Sequence, residues 1–257
     1  MQKPTFVLLM TACISPPDYN KDLVRTDPVT RLNDYINAFK FWLNLEEPKI
    51  GAIVFAENSG YTLDALKQVA ATCNRYNRTI EFLQFPATQT PPTVHYGFSE
   101  LEMIDNAYHH SKLIKNADYI IKVTGRLYFP RLSRLLNIVQ PNHLFISDSR
   151  DFDLFNKSQH YAVTTIFVVQ TGFYGTVLYN VKQQMGAGKF GLIEDLYFHI
   201  LKPLYLKNKT DIILRLPFNV EPVGVGAHWN VSYRSYKKQI PAFLRGLGRI
   251  FYRKLWI

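Results

Sequence analysis

Cations and carboxylates at the ends of apolar runs are the residues of this chain best suited to chemistry. In NADYIIKVTGRL, residues 116–127, Lys122 stands inside an otherwise apolar strand and Arg126 follows Gly125 at its end. A buried lysine requires a counter-charge or a ligand, and glycine permits close backbone approach. Two converging cations suit a diphosphate; Lys122 paired with Glu100 or Asp148 is the alternative. Upstream, Arg25 and Arg31 flank Asp27-Pro28 at a helix start. Cations there oppose the helix dipole, so either a phosphate joins the helix amides or an arginine pairs with Asp27 or Asp34.

Further groups follow other strands. Glu57-Asn58-Ser59-Gly60 is a polar turn behind a buried strand; it serves either to bond a base or ribose or simply to turn the chain. Asp148, Asp151 and Asp153 cluster after a strand, and with His228 in the Gly-rich segment 223–229 they are candidate oxygen and nitrogen ligands for Mn or Mg. Solvated loop acids fit equally well. His228 is also a candidate for contacting a phosphate. Glu194-Asp195 opens a helix behind the Gly-rich stretch 186–191. Acids there are favourable for the helix and are candidates for a general base that deprotonates a hydroxyl.

The elements that must position these groups alternate. Strands are expected at 5–14, 50–56, 80–85 and 118–123, and helices at 28–43, 63–75 and 99–115. Asp27 reads as an N-cap with Pro28 at the first helical position. Val29, Leu32, Ile36, Phe39 and Leu43 then form the apolar stripe, and Ser99 to Glu102 reads as a capping box. Beyond Thr124 come a short helix at 130–139, strands at 144–147, 163–169 and 211–216, and a helix at 193–201. The pattern predicts an α/β fold with a mainly parallel sheet, helices on both faces and some antiparallel strands in the second half. Ligands of such sheets lie at the carboxyl ends of the strands.

Composition bounds the rest. The 257 residues are 47% hydrophobic and 19% charged, which excludes a wholly disordered chain. Two cysteines, Cys13 and Cys73, exclude a disulfide scaffold and a Cys-rich zinc module. No early apolar run is long enough to span a membrane, and the expected location is cytoplasmic. The net charge is +10, but residues 231–257 hold seven basic residues and no acid, leaving +3 on the rest. No nucleic-acid-binding signature accompanies the charge, so nucleic acid is not an expected partner.

In that tail Phe243, Leu244, Leu247, Ile250, Phe251 and Leu255 recur at helical spacing, with Arg245, Arg249 and Arg253 every fourth residue and Trp256 near the end. This is a basic amphipathic helix. It either meets an anionic membrane surface or docks on the core with its basic face in water. Two units are expected: 1–230 as the nucleotide-binding and catalytic domain, and 231–257 as the tail.

Taken in order, TFVLLMTACIS, RTDPVTRLNDY, IVFAENSG, YGFSELEMIDNA, ADYIIKVTGRLYF, TGFYG and the Ile193-Glu194-Asp195 run resemble GT-A-type glycosyltransferases of bacterial surface-polysaccharide (capsule, O-antigen or lipopolysaccharide) biosynthesis, over about residues 5–230. The resemblance implies a Rossmann-like GT-A fold, a nucleotide-sugar donor and a glycan or glycolipid acceptor. It assigns Arg25, Arg31, Glu57, Asn58, Lys122, Arg126 and His228 to the donor, and Asp195 or Glu194 to the base. Where such families often carry an Asp-x-Asp metal motif, this chain has Thr124-Gly125-Arg126. Weak or absent metal dependence is therefore expected, with Asp148, Asp151 and His228 the ligands if an ion binds. Two other activities share these features: a sugar-phosphate nucleotidyltransferase, for which Ser15-Pro16-Pro17 is a poor match to the usual Gly-rich loop, and a non-catalytic membrane-associated partner of a polysaccharide assembly complex.

Overall fold

A computed structural model describes residues 4–17, 23–88, 90, 94–154, 157–186, 189–228, 230–252 and 256. The expected features at Trp229, Arg253, Lys254 and Leu255, and parts of the 86–92 and 186–191 stretches, lie outside these residues. The first half runs β1 (Phe6–Ala12), α1 (Pro28–Asn44), β2 (Ile50–Glu57), α2 (Asp64–Cys73), β3 (Thr79–Gln84), α3 (Gly97–His110), α4 (Lys112–Lys115) and β4 (Tyr119–Thr124). The second half runs α5 (Leu132–Asn137), β5 (Phe145–Ile146), β6 (Ser149–Leu154), β7 (Lys157–Ala162), β8 (Ile166–Gln170), α6 (Thr171–Phe173), a π-turn (Tyr174–Leu178), α7 (Gln183–Gly186), α8 (Ile193–Lys207), β9 (Ile212–Ile213) and α9 (Tyr236–Phe251).

Seven strands form one sheet in the order β3-β2-β1-β4-β8-β5-β9. β3, β2, β1 and β4 are mutually parallel, β8 runs antiparallel between β4 and β5, and β9 pairs parallel with β5. The mainly parallel α/β sheet with an antiparallel member in its second half is thus as expected. Every residue of β1 is buried, as a strand covered on both faces requires. Alternation divides its side chains between two cores. Phe6, Leu8 and Met10 face α1 with Tyr35, Phe39 and Trp42, whereas Val7 and Leu9 face α3 and α8 with Leu101, Ile104 and Leu196.

Local signals hold at α1, where the Asp27 carboxylate accepts from the Thr30 amide at 2.7 Å and Pro28 opens the helix. The buried stripe is rotated from the expected one: Val29 is exposed, and Tyr35, Phe39 and Trp42 fill the interface. The larger rings remove more apolar area from water and so set the facing side. The Ser99–Glu102 capping box is not used. α3 starts two residues earlier at Gly97, with Tyr96 at its N-cap. A Cβ on Gly97 would lie 3.2 Å from the Ile193 side chain, so the first turns of α3 and α8 meet there.

The hairpin β6–β7 is absent from the expected elements, which placed Asp148–Asp153 in a loop. Its strands pair Asp151 with His160 and Arg150 with Tyr161, a polar alternation that carries little hydrophobic signal. α9 also differs from the expected docked helix with its basic face in water. It docks on the body through its arginines: Arg249 is buried and bonds Asp148 at 2.5 Å and the Phe218 carbonyl at 3.0 Å, and Arg245 pairs with Glu221 at 2.8 Å. Its apolar residues face outward. Trp256 sits against Tyr205 and Lys202 of α8, its carbonyl accepting from the Asp151 amide at 3.1 Å.

Candidate functional site

Hydrogen bonds join the carboxyl ends of β1, β2 and β4 into one floor. The Gly125 amide donates to the Thr11 carbonyl at 2.9 Å, and a Cβ on Gly125 would meet that oxygen at 2.7 Å. Glycine is therefore required here by close approach. At the end of β2, Glu57 is fully buried; its Oε1 accepts from the Ile14 and Ser59 amides at 3.1 and 2.9 Å and from the Ser59 hydroxyl. Asn58 donates from Nδ2 to Ser99 Oγ at 2.8 Å. The second acceptors, Glu57 Oε2 and Asn58 Oδ1, are buried without a hydrogen-bond donor among the described residues.

The segment after Pro222 lies against these ends. Tyr128 and Val223 form an antiparallel bridge, and the Val24 and Arg25 amides both donate to the Ala227 carbonyl at 3.1 Å. Gly224 adopts φ +136° and approaches the Arg126 carbonyl so closely that a Cβ would sit 2.8 Å away. The loop bearing His228 is thus held over the Arg126 end of β4.

The four candidate cations divide sharply. Arg25 gives a bidentate fork to Asp34, at 2.6 and 2.9 Å, and a third bond to Asn230. Arg31 is buried and donates to the Cys13 carbonyl at 2.8 and 2.5 Å and to the Arg25 carbonyl at 3.0 Å. Lys122 is fully buried and bonds Glu100 at 2.6 Å and the Thr164 carbonyl at 2.7 Å. Their donor groups are used within the protein, those of Arg31 mainly on carbonyl oxygens, and for Arg25 and Lys122 the pairing alternatives from the sequence apply. Arg126 differs. Its one hydrogen bond among the described residues runs from Nη1 to the Val225 carbonyl at 2.5 Å, and no carboxylate pairs with it there.

Beneath the floor lies a polar chain on the α3–α8 side of the sheet. Thr11 donates to Glu100 at 3.0 Å, Glu100 holds Lys122, and Thr164 donates from Oγ1 to Glu194 at 2.8 Å. Burial pushes the Glu100 carboxyl up, but the Lys122 charge and hydrogen bonds from Lys122 and Thr11 outweigh it and hold it below the usual range. Burial pushes Glu194 up, reinforced by the Glu100 charge and opposed by the Thr164 bond. Asp195, one residue further along α8, is raised by burial alone. The Cys13 thiol, pushed up to about 11 by burial, stays protonated near neutrality.

The candidate metal ligands are not brought together. Asp148 is held by Arg249 at 2.5 Å, and Asp151 is held by Lys202 and by His160 Nδ1 at 2.8 Å. Among the described residues no three His, Cys, Asp or Glu side chains are grouped so as to hold an ion. Mn or Mg therefore does not fit the set Asp148, Asp151 and His228. The reason is local charge: basic residues of α8 and α9 already neutralise both aspartates.

Thr11 and Thr164 escaped the sequence reading, and Glu100 entered it only as a partner for Lys122. A signal for Thr11 was present. It follows Val7 and Leu9 on the strand face shared with Lys122, where an apolar residue is expected.

No protein-family model matches the chain, and no curated protein matches it in sequence. Solved structures do resemble it. The glycosyltransferase GlyE of Streptococcus pneumoniae superposes with TM-score 0.50 at 7% identity, over 82% of this chain and 45% of that one. This chain therefore spans less than half of GlyE's length. The 4-diphosphocytidyl-2C-methyl-D-erythritol synthase of Anaerococcus prevotii gives 0.45 at 8% identity over 94% and 96%. Core-mannan synthase A of Aspergillus fumigatus, in its Mn/GDP form, gives 0.47 at 10% over 82% and 72%. At such identities the likeness shows the fold alone, a GT-A-like, Rossmann-like sheet.

Proposed function

We propose that this chain transfers a sugar from a nucleotide-sugar donor to a hydroxyl of a lipid-linked glycan, in surface-polysaccharide synthesis, while attached peripherally to the inner face of a membrane. One observation carries the reading: Glu57 Oε2 and Asn58 Oδ1, buried acceptors without a donor among the described residues, share the parallel strand ends with Arg126, a cation without a carboxylate partner among those residues. A nucleoside diphosphate meets both needs, its base or ribose supplying N–H or O–H groups and its phosphates the negative charge.

The reaction proposed is a displacement at the anomeric carbon of the donor sugar. The acceptor oxygen bonds to the anomeric carbon as the bond from that carbon to the diphosphate breaks, and the diphosphate leaves with the electron pair. Arg126 stabilises the charge growing on the leaving group. In an inverting reaction Asp195 takes the acceptor's proton, since burial has made it a stronger base than an exposed aspartate. Glu194 is the alternative base, though its hydrogen bond to Thr164 ties it to the structural network. Arg25, Arg31 and Lys122 act on the donor only through the floor they brace. His228 is a second contact for the diphosphate.

Incubation with labelled sugar nucleotides tests the proposal. Release or transfer of the sugar is the expected result. Pyrophosphate exchange with a nucleoside triphosphate and a sugar phosphate would overturn it in favour of nucleotidyl transfer. Inertness toward every donor and triphosphate would leave a binding protein.

A further inference from the structure

α9 lies with Arg245 and Arg249 against the body and its apolar side chains toward water. At 100° per residue, Ile240, Phe243, Leu244, Leu247, Ile250 and Phe251 share one continuous face, opposite the buried Ala242 and Arg249. All six are exposed, Phe243 and Phe251 at 65% and 76%. Isolated exposed apolar residues are ordinary, but six on one helical face form a patch of the kind that marks an interaction surface. Exposed Tyr236 and Tyr252 stand at its two ends, as amphipathic rings do where an apolar layer meets water.

Charge around the patch identifies its occupant. Beside α9 runs a groove of about 670 Å³, walled by Phe243, Leu247 and Ile250 on one side and by Arg131 and Arg134 on the other. Both arginines are exposed, and neither forms an ion pair among the described residues; Arg134 lies over the Phe218 ring at 4.7 Å. Arg234 and Lys237 add exposed positive charge near the start of α9. The carboxylate lining the groove, Glu221, is taken by Arg245. An apolar strip bordered by cations, with its nearby acid neutralised, is complementary to the surface of an anionic bilayer.

We propose that α9 lies flat in the interface of an anionic membrane, inserting Phe243, Leu247, Ile250 and Phe251, while Arg131 and Arg134 meet headgroup phosphates. This rests on the peripheral attachment proposed above and changes its physical basis. Arg245 and Arg249 are spent on Glu221 and Asp148, and Trp256 is packed on α8. Binding is accordingly driven by apolar insertion first and by charge second.

The test uses the full chain, without donor, and vesicles of phosphatidylcholine alone or with one-third phosphatidylglycerol. The protein is expected to float with the anionic vesicles. Phe243→Gln with Phe251→Gln, both exposed and therefore safe for folding, should weaken binding at least about tenfold, since each ring loses apolar burial in the interface. Arg131→Gln with Arg134→Gln should lower affinity for the anionic vesicles but not for the neutral ones. No flotation, or equal flotation by the Phe variant, would overturn the proposal. So would a dimer of the wild type that Phe243→Gln dissociates, because the face would then be covered by a second copy. Donor hydrolysis measured on the same samples in solution separates a failed membrane site from a failed chemical one.

Discussion

Replacing Lys122 by methionine distinguishes a brace from a substrate contact. The ammonium is fully buried and held by Glu100 at 2.6 Å, and the Glu100 side chain retains 20% of its exposure. Removing one partner of such a pair leaves the other charge uncompensated, at a cost of about 3–5 kcal/mol. For a chain of this size each kcal/mol lowers Tm by about 2–4 °C, so a fall of roughly 6–20 °C is expected. Adding Glu100→Gln should recover much of that loss, as coupled neighbours do. The pair also sets an acid limit. Because the folded Glu100 titrates below its unfolded value of about 4.3, its stabilisation is complete above that pH and is lost as pH falls through the folded value. Differential scanning calorimetry on the single and double variants, from neutral to acidic pH, provides the measurement. A Lys122→Met protein that melts with the wild type but no longer binds nucleoside diphosphates would refute the reasoning.

Arg126→Ala should keep its melting temperature and lose about 10–150-fold in donor affinity, the worth of a hydrogen bond to a charged group; titration calorimetry reads this directly. Asp195→Asn should lower turnover at least about 100-fold with donor affinity unchanged. Since burial raises Asp195, the wild-type rate should begin to fall on acidification at a pH above the ordinary aspartate range. Turnover should survive a chelator, because Asp148 and Asp151 are occupied by cations; loss restored by manganese would contradict this. Arg249→Met should free α9 from the body, seen as rapid proteolysis within 236–251 while the sheet melts near its original temperature.

The sheet was legible because its evidence is local. Apolar runs alternate with helical stripes, Asp27-Pro28 starts α1 as its chemistry demands, and strand ends coincide with polar turns. What the sequence left open depended on which partners the fold brings near. The fork of Arg25 goes to Asp34, that of Arg31 to carbonyls of the β1 loop, and Lys122 to a carboxylate 22 residues earlier. Sequence marks such cations as needing partners but cannot rank a ligand above a neighbour. The hairpin β6–β7 was missed because its strands are charged and polar, and their acids looked like metal ligands until Lys202, His160 and Arg249 were seen beside them. For α9 the amphipathic period was read correctly, but a helical wheel cannot tell which face turns inward. Carboxylates at Asp148 and Glu221 turned the arginines in.

The central claim is that Glu57, Asn58 and Arg126 form the seat of a nucleoside diphosphate. Titration of matched nucleosides and nucleoside diphosphates into wild type and Arg126→Ala tests it most directly. The account predicts that at least one base is bound, that its diphosphate binds more tightly than its nucleoside, and that Arg126→Ala removes this advantage while the nucleoside's affinity is kept. Equal affinity for nucleoside and diphosphate in both proteins, or binding of neither, would contradict it.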